Sequence, residues 1–367
     1  MGIYSMSITD SVTLLGEEIA REASYLFAYF RNVLAIVGMI YVAYKVSRCT
    51  SRIVEAIQMH LIGQRSDKWV EKYGPWAVVT GGSEGVGHAY AYELAARGLN
   101  IVLLSRNESK LKAAKADIES SYPVTVEYIV ADFASEAQTE LYKKIEQKLA
   151  DKDVGLLVNN VGVMYDYPDV LLNISSEKLW QLIHVNIGAA TMMTHMLLPQ
   201  MIKRGKGGIV VISSGSATHA TPHMTVYSAT KRYLDCFIQG LAYEYRNSGI
   251  TFQCLVPFFI VTSMMDYSKI LTHLGMIAPS AAVYAKSAVG TLGQSFCTAG
   301  YFPHTLQLWI AKAVPNWLWM WGSEKVNSFL RREALDRNEL QQQKGDKDKI
   351  SKYKIEINRE QSLEQSH

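Results

Sequence analysis

Between Trp76 and Val256, six short apolar runs alternate with segments of helical period, and this alternation restricts the fold more than any other feature of the chain. The runs are WAVVT (76–80), NIVLL (100–104), VEYIV (126–130), VGLLVN (154–159), GIVVIS (208–213) and ITFQCLV (250–256), and all read as buried strands. Helical segments such as Tyr90–Arg97, Glu108–Glu119 and Glu140–Leu149 lie between them. Strands joined through helices run parallel with right-handed crossovers. The expected fold is therefore α/β, a doubly wound parallel sheet with helices on both faces. Nothing repeats at a fixed period, which argues against a solenoid.

The first strand runs into Thr80-Gly81-Gly82-Ser83-Glu84-Gly85-Val86-Gly87, and a helix follows. In such a loop Gly81 lets the chain turn tightly. Gly85 and Gly87 let backbone approach a pyrophosphate and let the helix pack on the sheet. The helix start supplies free N–H groups and a favourable dipole, with Ser83 and Val86 in the same cradle. The second strand ends Leu104-Ser105-Arg106, with no acid to hold a ribose 2′-hydroxyl. Arg106 can pair with a 2′-phosphate and Ser105 can donate to it, so NADP(H) is favoured over NAD(H). Glu84 nearby works against that preference, and Arg106 also reads as an ordinary surface cation. Asp132, after the third strand, suits an adenine amino group or a helix N-cap equally. After the fourth strand, Asn159 and Asn160 can tie neighbouring loops while Gly162 clears room near the adenosine ribose.

A second cluster carries the chemistry. Tyr227 opens YSATK (227–231), and its i, i+4 spacing puts Lys231 on the same helical face. A neighbouring ammonium favours the phenolate and is expected to lower the phenol toward working pH. Tyr227 can then pass a proton to a developing alkoxide, and Lys231 can also hold the nicotinamide ribose. Ser214, ending the fifth strand, can bond the substrate oxygen. Ser213 competes for that part, but Ser214 is better separated from Tyr227. Asn186, in HVNIG, is placed to relay protons through water to Lys231. Catalytic Ser214, Tyr227, Lys231 and Asn186, together with the glycine loop, imply a nicotinamide-dependent oxidoreductase. His219 and His223 have no convergent third ligand, so no metal is expected.

The first 70 residues differ in character from the remainder of the chain. Tyr25–Tyr44 reads YLFAYFRNVLAIVGMIYVAY, long enough as a helix to cross a bilayer. Arg31 would cost about 2.5–3.5 kcal/mol at the bilayer centre, but it lies toward one end and can snorkel. Glu17, Glu18 and Glu22 precede the run and no small-residue cleavage site is obvious, so a signal peptide fits poorly. Lys45, Arg48 and Arg52 come after it and keep the globular part on the cytosolic side if the segment spans. An interfacial or packed amphipathic helix is the alternative. At the other end, WLWMWG (317–322) suits a membrane interface, a dimer surface or a core contribution, and 331–367 reads as a frayed helix and a charged, disordered tail. The domains expected are a leader over 1–70, a globular domain over 71–300, an aromatic segment over 301–330 and the tail. A net charge of +3 with scattered cations gives no case for nucleic acid. The four cysteines (Cys49, Cys236, Cys254 and Cys297) have no short pair spacing, and a reducing environment fits them best.

The glycine loop, NNVG (159–162), Asn186, Ser214 and YSATK stand in the order that marks the short-chain dehydrogenase/reductase family, which the chain resembles over roughly 75–265. WAVVTGG, RGLNIVLLSRNESKL and the membrane-like leader resemble the branch holding very-long-chain 3-oxoacyl-CoA reductases and 17-beta-hydroxysteroid dehydrogenases, and in particular the hydroxysteroid dehydrogenase-like proteins. The resemblance implies a Rossmann-type fold, reduction of an apolar lipid or steroid ketone, and a homodimer through the catalytic helices. It also implies carboxamide contacts at Ile260 and Thr262. Members of the subgroup with Phe in place of the catalytic Tyr are called inactive; this chain has Tyr227. It departs from the family at Pro257-Phe258, where Pro-Gly is usual, so a bulkier nicotinamide wall is expected. The branch holds both endoplasmic reticulum and mitochondrial members. An intracellular membrane is therefore expected, the endoplasmic reticulum ahead of the mitochondrion.

Overall fold

The computed structural model describes residues 8–62, 68–135, 138–265, 267–268 and 275–339. The chain divides into two compact units, Met1–Gln58 and Met59–His367.

The first unit holds helix α1, Ile8–Ile57. Its fifty residues extend beyond the expected 25–44 at both ends, giving about 75 Å of helix against roughly 30 Å of bilayer hydrocarbon. An 18-residue window in the helix reaches a mean hydropathy of 1.7, and Phe27, Leu34, Ile40 and Tyr41 are exposed. α1 is thus long and apolar enough to anchor the chain in a membrane.

The second unit is built on seven parallel strands in the order β3-β2-β1-β4-β5-β6-β7. They are β1 (Trp76–Thr80), β2 (Asn100–Ser105), β3 (Val126–Val130), β4 (Val154–Asn159), β5 (Gly207–Ile212), β6 (Ile250–Leu255) and β7 (Cys297–Thr298). The connecting helices are α2 (Trp69–Tyr73), α3 (Gly85–Ala95), α4 (Glu108–Ser121), α5 (Gln138–Leu149), α6 (Ser176–Ile183), α7 (Ala189–Arg204), α8 (Thr225–Glu244), α9 (Ala281–Gly290) and α10 (Phe302–Ala313). A last helix, α11, occupies 316–339.

The central strands β1, β4 and β5 are nearly continuous apolar runs because both faces are covered, whereas the edge strand β3 carries the half-exposed Glu127. Val78, Val102, Leu104, Leu157, Val211 and Cys254 face one core with α5, α7 and α8. Their alternates, including Ala77, Val79, Leu103, Val158, Val210 and Leu255, face the other core with α3, α4 and α9. Local signals set the helix starts: Asn107 and Ser175 accept from Lys110 N and Lys178 N at the heads of α4 and α6. Gly205 ends α7 in the left-handed region at φ 67°.

Beyond the six expected strands, α9 and β7 add one more unit; β7 has only two residues, too few to show as an apolar run. α11 carries helix into the 331–367 segment as far as residue 339, and 340–367 lie outside the described residues.

One packing constraint concerns the sheet directly. The pairing of β1 with β4 shifts between Trp76 and Ala77, leaving Gly155 unpaired between Val154 and Leu156. A Cβ on Gly155 would collide with the Tyr73 carbonyl and the Gly74 Cα, both backbone and unable to swing away. Gly155→Ala is expected to destabilise this unit by about 3 kcal/mol, read as a lowered urea midpoint with an unchanged m-value.

Candidate active site

The strand order reverses between β1 and β4, so the crevice at their C-terminal ends is where a parallel sheet of this kind opens to a ligand. Thr80 and Asn160 hold that crevice together. Thr80 Oγ1 donates to the Val158 carbonyl (3.2 Å) and accepts from Asn160 N (3.0 Å) and Val161 N (3.1 Å). Asn160 Nδ2 donates back to the Thr80 carbonyl at 2.8 Å. Gly81 takes φ 66° and Gly85 φ 60°, both left-handed. At Gly87 a Cβ would strike the Gly81 carbonyl and the Asn160 amide, so this glycine is needed for the loop's own closure.

A cavity of about 1250 Å³ opens here. Gly81, Ser83, Gly85, Val86 and Gly87 form one part of its wall, with Ser105, Arg106 and Asp132 beyond them. Asn160, Gly162, Ile260 and Thr262 also line it, as do Ser214, Tyr227 and Lys231. Two expected residues do not. Asn159 is buried and donates to Thr194 Oγ1 at 3.0 Å, so it ties β4 to α7. Asn186, 1% exposed, sits in a π-helical turn (His184–Gly188) between α6 and α7. Both of its amide protons are committed, to the Val163 carbonyl and Thr230 Oγ1 at 3.0 Å, while Oδ1 accepts from Val163 N at 2.8 Å. The side chain clamps the loop after β4 to α8.

The remaining residues have specific partners. Ser83 Oγ donates to Ser105 Oγ at 2.9 Å. Asp132 Oδ1 accepts from Ala134 N at 3.0 Å, which leaves its second oxygen for a ligand. Arg106 is exposed on the cavity rim and has no ion pair among the described residues. Glu84 is matched by Lys110 at 2.8 Å, which offsets its charge beside that rim. A Cβ on Gly162 would stand 3.2 Å from Lys231 Nζ and 3.5 Å from Asn186 Oδ1. The room this glycine clears is therefore beside the lysine.

The two serines at the end of β5 divide cleanly. Ser213 Oγ donates to the Lys231 carbonyl at 2.9 Å and is buried. Ser214 Oγ accepts from Ser216 N (3.2 Å) and Ser216 Oγ (3.0 Å) and is hydrogen-bonded with Tyr227. Burial raises the Tyr227 phenol above its ordinary value, and the Ser214 bond only partly opposes this. The expected lowering by Lys231 is not among the influences on the phenol, and desolvation is the largest of them. Lys231 Nζ lies 5.9 Å from the Tyr227 ring and donates to the Ile212 carbonyl at 2.9 Å. Burial brings Lys231 down to about 8, with Cys254 and Asp235 pulling the other way.

Phe258 does not simply thicken the nicotinamide side. Its ring lies over Gly215, where a Cβ would come within 2.7 Å of it, and 6.0 Å from the His304 ring. The outer cavity wall comes from α11, through Leu318, Trp319, Val326, Asn327 and Ala334. Trp319 Nε1 donates to Thr221 Oγ1 (3.3 Å), Asn327 Nδ2 to the Pro222 carbonyl (2.7 Å), and Arg331 Nε to Asp169 Oδ1 (2.6 Å). His219 and His223 face this helix too: the His219 ring lies 5.5 Å from that of Trp319, and His223 Nε2 is 3.4 Å from Ser328 Oγ. The sequence signal for this wall was the tryptophan cluster, which divides between Trp319 in the cavity and the exposed Trp317 and Trp321.

A short chain dehydrogenase profile matches residues 75–270, the stretch that carries the glycine loop, the Ser214–Tyr227 pair and Lys231. The chain belongs to the short chain dehydrogenase family. Among its relatives is the human protein named inactive hydroxysteroid dehydrogenase-like protein 1, 47% identical over 90% of this chain and 99% of that one. A very-long-chain 3-oxoacyl-CoA reductase of Macaca fascicularis is 36% identical over 82% of this chain and 95% of its own. Among solved structures, a short-chain dehydrogenase from Sphingobium yanoikuyae in complex with NADPH superposes with a TM-score of 0.53 at 28% identity, over 59% of this chain and 83% of that one. The family and these relatives support a nicotinamide-dependent oxidoreductase as the coarse class.

A buried ammonium has a stability consequence. Folding lowers the proton affinity of Lys231 from 10.5 to about 8, so between those values the unfolded chain binds more protons. Stability rises with pH through that window, and at neutral pH the buried charge costs about 3 kcal/mol. Lys231→Met removes that cost and leaves the Ile212 carbonyl unpaired, which costs about 1 kcal/mol. Thermal unfolding at pH 7 is expected to show a higher midpoint for the variant.

Proposed function

We propose that this protein reduces an apolar ketone of the steroid or long-chain 3-oxoacyl-CoA type with NADPH, Tyr227 being the proton donor. The observation that carries this reading is the Ser214–Tyr227 pair, hydrogen-bonded beside Lys231 in a cavity whose outer wall is apolar. The bound cofactor supplies hydride to the carbonyl carbon; the chain does the rest. Ser214 Oγ uses its lone pairs on Ser216, so the proton it gives Tyr227 is the one that turns to the carbonyl oxygen of a bound ketone. Tyr227, held as a neutral phenol by burial, is in the correct state to protonate the developing alkoxide. Lys231 stabilises the phenolate left behind. The volume of the cavity and the side chains of Leu318, Trp319 and Val326 suit a bulky apolar substrate.

The cofactor choice rests on Arg106 and Ser105, with Glu84 neutralised by Lys110. The NADPH complex of the Sphingobium yanoikuyae relative agrees with that choice. For the setting, we retain an endoplasmic reticulum membrane with the catalytic unit on the cytosolic face: Lys45, Arg48 and Arg52 come after the apolar run, and Glu17, Glu18 and Glu22 do not suit a cleaved mitochondrial presequence. A second reading, a membrane-bound protein that holds the cofactor without turnover, is motivated by the name of the human relative.

Three outcomes separate these readings. Detergent-solubilised protein is expected to oxidise NADPH with a member of a panel of steroid ketones and 3-oxoacyl-CoA esters, while Tyr227→Phe loses at least a hundredfold in kcat and keeps NADPH affinity. Equal turnover by the two proteins would overturn the proton-donor assignment, and NADPH binding without turnover would favour the second reading. Reduction should fall as pH rises through about 8, where Lys231 loses its charge. Arg106→Ala should weaken NADPH binding by about tenfold to a hundredfold and leave NADH binding nearly unchanged, as titration of each cofactor would show.

A further inference from the structure

Two of the four cysteines stand side by side where the sequence shows no short spacing. Cys254 on β6 and Cys297 on β7 are register partners of parallel strands. Paired residues point to the same face of a sheet, and strand spacing places their Cα atoms about 5 Å apart, inside the range a disulfide can bridge. Cys254 is buried, whereas Cys297 is exposed at the sheet edge. Cys254 Sγ donates to Asp235 Oδ1 at 3.2 Å, and its single proton is shared between that carboxylate and the Cys297 sulfur. The hydrogen bond from Cys254 and the nearby Lys312 bring the Cys297 thiol down to about 7, while the same bond and burial push Cys254 up. One sulfur is thus exposed and the readier of the two to ionise, and the other is a protonated neighbour in reserve. Neither takes part in the proposed reduction.

We propose that Cys297 and Cys254 form an oxidisable dithiol site, with Cys297 as the attacking sulfur and Cys254 as the resolving one, reacting with hydrogen peroxide or an organic peroxide. The Cys297 thiolate attacks the O–O bond, forming S–O and releasing hydroxide. Cys254 then attacks the Cys297 sulfur, S–S forms, S–O breaks, and water leaves with the Cys254 proton. The two thiols lose two electrons and the peroxide gains them, giving one disulfide and two waters with hydrogen peroxide. β7 is two residues long and is held to β6 by Cys254 N to the Phe296 carbonyl (2.7 Å) and Val256 N to the Thr298 carbonyl (2.9 Å), so the edge can adjust with few bonds at stake. Bridging removes the proton that Cys254 gives Asp235, which lies one turn beyond Lys231 on α8. The site therefore stands within electrostatic reach of the catalytic lysine, although the chemistry proposed does not depend on turnover.

The remaining cysteines provide the control, since Cys49 and Cys236 are also exposed. Intact protein in detergent would be labelled with limiting iodoacetamide at pH 7 and mapped by peptide mass. Cys297 is expected to react about tenfold faster than Cys236, as its larger thiolate fraction requires. After hydrogen peroxide, the peptides containing Cys254 and Cys297 should be found joined and should separate on reduction. The Cys254→Ser variant should instead leave a Cys297 sulfenic acid that dimedone traps. Cys297 labelling no faster than Cys236, or no joined peptide after peroxide, would overturn the proposal.

Discussion

A parallel sheet covered by helices on both faces leaves polar backbone accessible mainly at the ends of its strands. In this protein the ends of β1 and β4 are where the crossovers diverge, and Thr80 and Asn160 spend their side chains on the backbone exposed there. The rest of the site depends on that closure. Gly87 can have no side chain because the Gly81 carbonyl and the Asn160 amide occupy its space. The glycine turn is held at the head of α3, and Asn186 ties the following loop to the catalytic helix through Val163 and Thr230.

Burial shapes the chemistry as strongly as it shapes the fold. Tyr227 and Lys231 are both removed from water, and desolvation moves them in opposite senses: the phenol up and the ammonium down. A buried ammonium with one carbonyl partner, Ile212, is a poor choice for stability and a useful one for stabilising a phenolate. The same desolvation that strengthens the site makes its lysine expensive to fold.

The outer half of the cavity has a different origin. α11 reaches it from the far end of the chain and is fastened to the 219–224 segment, just before the catalytic helix, by Trp319 and Asn327. Arg331 adds an ion pair to Asp169, a nearly buried carboxylate. Burial works against that charge, but Arg331, Val170 N–H and Asn173 outweigh it and hold the carboxyl below its usual range. The outer cavity wall and the segment that leads into α8 thus share supports.

The strands, the helices between them, the glycine turn and the Ser214, Tyr227 and Lys231 group were legible in the sequence because each rests on local pattern. Apolar runs mark strands, left-handed turns at 81 and 85 need glycine, and i, i+4 spacing places the lysine. Tertiary structure alone decided the rest. It turned Asn159 into the core, fixed the Asn186 side chain between Val163 and Thr230, set Gly162 close to Lys231, and added a strand too short to see. It divided the tryptophan cluster between cavity and surface and brought Cys254 beside Cys297 across 43 residues of chain. Those outcomes depend on which distant atoms share a space and on how far water is excluded from it. No short window of sequence carries that information.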